Sequence, residues 1–77
     1  MTEKGKKQFA KNLVKAMEDA HLNQYQLAKR TGFFHGTISW WVHGTVAPRI
    51  YNMGILARTL GVDVKDLIKG IKVEDLL

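Results

Sequence analysis

The sequence predicts an all-α domain of five helices, and three observations predict it. Apolar residues recur at three- and four-residue spacing along most of the chain, and no stretch alternates with the two-residue period of a strand. Glycines and short polar capping residues punctuate that pattern where helices should stop and start. At 77 residues, 45% hydrophobic and 25% charged, the chain has the size and composition of one small globular domain. It has no cysteine, so neither a disulfide nor a cysteine-based zinc site can support it. Helix packing must do so.

The first helix is expected over about residues 6–20, where Phe9, Leu13, Met17 and Ala20, with Ala16 alongside, form one apolar face and lysines fill the other. Asn23 then offers a cap, Gln26 three residues later completes a capping-box pattern, and Leu22 can staple onto Leu27. This second helix runs to Gly32, since glycine takes the left-handed stop without steric penalty. The next segment, GFFHGTISWWVHG from Gly32 to Gly44, has four large aromatics, two histidines and no lysine, arginine or carboxylate. On a wheel at roughly 100° per residue, a helix over residues 35–42 separates Ile38, Trp41 and Val42 from Gly36, Ser39, Trp40 and His43, with His35 at the border. The first set is core. Trp40 therefore stands on the polar face, where an indole needs a cover or a partner.

Pro48 marks a fourth start, and Ile50, Met53, Leu56, Ala57 and Leu60 repeat at helical spacing to a stop at Gly61. A short fifth helix opens on Asp63, with Asp66 at the third position and Val62 able to staple onto Leu67. The expected core is Phe9, Leu13, Leu27, Ala28, Ile38, Trp41, Val42, Met53, Leu56, Leu60 and Leu67. Residues 1–5 are read as an N-terminal arm, 6–70 as the domain, and 71–77 as a tail whose apolar residues dock on the core or on a second chain.

Charge and inventory narrow the function. Twelve Lys and Arg against seven Asp and Glu leave a net charge of +5, which favours polyanionic partners. No apolar run approaches the roughly 20 residues that span a bilayer, and the lysines near the N-terminus precede no signal-peptide core, so a soluble intracellular protein without a membrane partner is expected. Three scattered histidines, His21, His35 and His43, supply no oriented nucleophile or acid/base pair, which argues against an enzyme. His35 and His43 also lack the further ligands of a zinc site, and no metal or cofactor is expected.

Two short helices joined by a glycine turn, the second with a polar face of small residues, are the physical description of a helix-turn-helix. Residues 22–68 resemble the Xre or lambda-repressor-like helix-turn-helix family. The resemblance rests on Leu22, Gln24, Leu27-Ala28, Gly32, Thr37-Ile38-Ser39, Gly44, Pro48, Leu56-Ala57, Leu60-Gly61-Val62 and Leu67-Ile68, and with Phe9 and Leu13 it extends over about residues 6–70.

It implies a compact five-helix lambda-repressor-like DNA-binding domain with helices two and three as the helix-turn-helix and helix three in the major groove. The family's base-reading positions fall on His35, Gly36, Ser39 and Trp40, and its backbone contacts on Gln24, Lys29, Arg30, Thr37, His43, Thr45 and Arg49. Lys4, Lys6, Lys7 and Lys11 are further candidates for phosphate. The implied partner is a double-stranded operator, an inverted repeat bound by a homodimer, and the implied role is transcription regulation in the phage-repressor, Cro-like or Xre manner, in the cytoplasm of a bacterial or phage-infected cell. Two departures bear on specificity. Phe34 offers no side-chain cap to helix three, and the groove face has no residue for bidentate pairing to guanine or adenine. The alternative is a protein-interaction module, antirepressor- or antitoxin-like, engaging a partner through Phe33, Phe34 and Trp40.

Overall fold

Six helices and no strand make up the computed structural model, which describes all 77 residues: α1 (Glu3–Asp19), α2 (Gln24–Thr31), α3 (His35–Val42), α4 (Ile50–Leu60), α5 (Val64–Leu67) and α6 (Val73–Leu76). The sequence anticipates five, and the sixth is a single turn in the tail. None is long and apolar enough to cross a membrane.

Local signals explain most boundaries. The amide of Gln26 donates to Asn23 Oδ1 at 2.8 Å and the amide of Asn23 to Gln26 Oε1 at 2.9 Å, which closes the capping box on α2. Gly32, at φ 83°, ends it. The amide of Asp63 donates to Asp66 Oδ2 at 2.9 Å at the start of α5. The end of α1 is different, because His21 takes the left-handed conformation, φ 57°, without being glycine.

The N-terminus departs from the expected arm. Thr2 caps α1 by accepting from the Gly5 amide at 3.1 Å, so residues assigned to an arm form the first turn of the helix. The tail closes over that turn: the Thr2 amide donates to the Asp75 carbonyl and its hydroxyl to Asp75 Oδ1, both at 2.9 Å. Gly5 permits this approach, since a Cβ there would lie 2.5 Å from the Asp75 carbonyl oxygen. Farther along α1, Asn12 Nδ2 donates to the carbonyls of Leu67 and Lys69 at 2.9 and 2.8 Å, tying the end of α5 to the same helix.

Phe9, Leu13, Leu27, Ile38, Leu56 and Leu67 are fully buried, so five helices each send at least one side chain into a common centre. At about 1.5–3 kcal/mol for each such side chain, this centre dominates stability. Met17, Leu22, Trp41, Met53 and Leu60, with Ala16 and Ala57, complete it. Ala28 and Val42, expected in the core, are half-buried at its margin, because their positions on α2 and α3 lie between the inward and outward faces. Ile50 keeps the helical period of α4 yet is exposed, being the first residue of the helix and beyond the reach of the core. No buried side-chain polar atom lacks a hydrogen-bond partner.

Candidate nucleic-acid interface

Helix α3 is held from behind and open in front. Ile38 is fully buried and Trp41 is 4% exposed, with the Trp41 ring meeting Phe33 edge-on at 5.2 Å between centroids and an interplanar angle of 83°. Phe33 thereby turns inward and is half-buried, which removes it from the outward aromatic patch anticipated with Phe34 and Trp40. Phe34 and Trp40 stay outside, 85% and 61% exposed. The opposed behaviour of adjacent tryptophans follows from 100° per residue and a core on one side only.

At its start, α3 has the predicted bare cap: Phe34 supplies backbone geometry, φ −64° and ψ 141°, and no side-chain hydrogen bond. Its end is firmer. The amide of Gly44 donates to the Trp41 carbonyl at 3.2 Å and that of Thr45 to the Trp40 carbonyl at 3.0 Å. Gly44, at φ 75°, is buried against α1, where an added Cβ would lie 3.4 Å from the Lys7 Cα. That close approach fixes the C-terminal end of α3 on the first helix.

His35, Gly36 and His43 are exposed, and Thr37 and Ser39 half-buried. Nδ1 of His43 lies 2.7 Å from the Ser39 carbonyl and 3.3 Å from the Ser39 hydroxyl. A carbonyl only accepts, so Nδ1 donates in this contact, and Nε2 makes no hydrogen bond within the chain. Some of the outward residues line two separate hollows, and Ser39 and His43 belong to neither. Gln24 and His35 share one of about 490 Å³ with Val14, Met17, Tyr25 and Val42, between α1, α2 and α3. Phe34, Gly36, Thr37 and Trp40 line the other.

Most of the candidate cations lack a carboxylate partner, and Arg49 lines a hollow with Met1, Ile50, Ile68 and Leu76. Arg30 and Arg49 are exposed and make no ion pair, and the Lys29 ammonium sits 5.6 Å from the Tyr25 ring centroid. Lys6 pairs with Glu3 at 3.0 Å, and its hydrogen bond and then its charge hold the Glu3 carboxyl below the usual range. Lys4, Lys7 and Lys11 remain unpaired and line a groove of about 290 Å³ with Lys72, which the tail brings beside them. Nothing in the sequence pattern singles out Lys72, and only the docking of the tail reveals it. The histidines do not gather with carboxylates into a metal-sized cluster.

No curated protein and no solved structure matches the chain. Residues 12–77 do match the Cro/C1-type HTH DNA-binding domain, from the second third of α1 through the tail. With most of its length accounted for by that match and its all-helical fold in agreement, the chain belongs to the Cro/C1-type helix-turn-helix DNA-binding family.

Proposed function

We propose that this protein is a transcription regulator that binds double-stranded DNA by laying the outward face of α3 in the major groove, with α2 bracing it against the backbone. The observation that carries the reading is the division of α3: Ile38 and Trp41 anchor it, while His35, Gly36, Trp40 and His43 are exposed on a rigid helix. In this reading His35, Gly36, Ser39 and Trp40 meet base edges. Gln24, Lys29, Arg30, Thr37, His43, Thr45 and Arg49 meet the sugar-phosphate backbone. The unpaired lysines of α1 add phosphate neutralisation at its margin.

One such domain reads one half-site. The functional form is therefore a homodimer on an inverted repeat with half-site centres about 34–36 Å apart, in the manner of a phage repressor or Cro-like protein. The tail supplies the dimer interface through Val73 and Leu77, 72% and 90% exposed, because Asp75 and Leu76 are turned toward their own chain. Selection from a randomised duplex pool, followed by footprinting, tests the proposal. Enrichment of an inverted repeat is expected. A pool that stays random, or binding no tighter than to bulk duplex, would sink it.

A second reading has its own observation: Phe34 and Trp40 expose apolar rings such as protein interfaces use. Under it, Trp40→Ala leaves duplex affinity intact and abolishes a protein complex.

A further inference from the structure

Phe34, Gly36, Thr37 and Trp40 line a notch of about 260 Å³ on the outward side of α3. Its flanks are the two exposed rings, Phe34 and Trp40. Gly36 lies among them. A Cβ added at Gly36, the second residue of α3, would meet nothing within 4 Å, so packing does not require glycine there. What glycine does provide is depth, because any side chain at this position would stand in the notch.

The chemistry around the notch limits what it can recognise. From His35 to His43 there is no Arg, Lys, Asn, Gln, Asp or Glu, so the side chains that read guanine, adenine or cytosine by paired hydrogen bonds are missing. The major groove presents one apolar group to such a surface, the C5-methyl of thymine. We propose that the notch formed by Phe34, Gly36, Thr37 and Trp40 receives a thymine C5-methyl and that this apolar packing, rather than hydrogen bonding, sets the base preference of α3. The assignment rests on the placement of α3 in the major groove. It goes further by naming the feature of the base that is read and by giving Gly36 a role that the fold does not.

Thymine and uracil differ at C5 by that methyl alone, which makes the test direct. A duplex is first selected from a random pool, and each thymine is then replaced in turn by deoxyuridine, with affinity measured at fixed salt. At one or two positions in each half-site the replacement, which removes one buried methyl, weakens binding about 4-fold. In Gly36→Leu a branched side chain occupies the notch that a single methyl would leave largely open, and in Trp40→Ala one wall is gone. In both variants the thymine-to-uracil ratio at those positions falls to about 1, while circular dichroism and the thermal midpoint show the fold retained. A selected duplex that is bound tightly but is indifferent to deoxyuridine at every position overturns the notch and leaves DNA binding standing, as does a ratio that survives in both variants. If no duplex is bound above bulk, the placement of α3 and the notch both fall.

Discussion

Truncating the two adjacent tryptophans separately reports on how α3 is seated. Trp41 is 4% exposed, joins the main core and stacks edge-on with Phe33. Its removal takes away transfer free energy and leaves a cavity at the edge of that core beside Phe33, a loss of about 3–5 kcal/mol for Trp→Ala. The aromatic pair contributes about 0.5–1.5 kcal/mol of that sum. At about 0.05–0.15 kcal/mol per residue, a chain of 77 residues has roughly 4–12 kcal/mol in total, so Trp41→Ala is expected to unfold much of the population. Trp40, 61% exposed, should change stability by no more than about 0.5 kcal/mol on the same truncation. Urea denaturation followed by far-ultraviolet circular dichroism measures both. The single-tryptophan fluorescence of each variant adds a check, since Trp40→Ala retains the buried indole with its blue-shifted emission. Destabilisation by Trp40→Ala together with tolerance of Trp41→Ala would refute the seating of α3 and every outward residue assigned from it.

Other parts of the structure predict their own outcomes. Gly5→Ala places a methyl against the Asp75 carbonyl and should lower stability by about 1–3 kcal/mol or release the tail, which limited proteolysis near residue 75 would detect. Asn12→Ala leaves the Leu67 and Lys69 carbonyls without their donor and should cost about 1–3 kcal/mol in denaturant unfolding; an unchanged midpoint would remove this link between α1 and α5. Arg49→Ala, and Lys29→Ala with Arg30→Ala, should weaken binding to all duplexes alike and reduce the slope of log affinity against log salt by about 0.9 for each phosphate that is no longer neutralised. Unaltered slopes would take these cations out of the interface.

Much of the fold was legible because the signals that define it are local. Asn23 with Gln26, Gly32, Gly61 and Asp63 with Asp66 mark helix ends within a few residues of chain, and they mark them in the structure. The orientation of α3 was legible from Ile38 and Trp41, three residues apart in a segment with few other large aliphatic side chains. What escaped depends on residues that meet from distant parts of the chain. The early start of α1 is the exception, since Thr2 marks it locally by capping the Gly5 amide, whereas the α6 turn is held through Asp75 against Thr2 and is not visible from periodicity. Phe33 and Phe34 are alike in type and adjacent, and only the position of Trp41 across the turn decides that Phe33 goes inward. Ile50 satisfies the repeat of α4 and still faces solvent, because a period identifies a face and not how far along the helix the core extends. Lys72 joins the lysines of α1 for the same reason that α6 was missed.

The central claim is that the outward face of α3 meets duplex DNA, and the indole N–H resonances of the ¹⁵N-labelled protein test it most directly. Titration with the selected duplex should shift or broaden the Trp40 indole signal and the amides from His35 to His43, together with Gln24 and residues 45–49. The Trp41 indole, held in the core against Phe33, should stay within the small changes seen across the rest of the interior. Perturbations confined to the tail or to the lysine face of α1, with the Trp40 signal unmoved, would contradict the account.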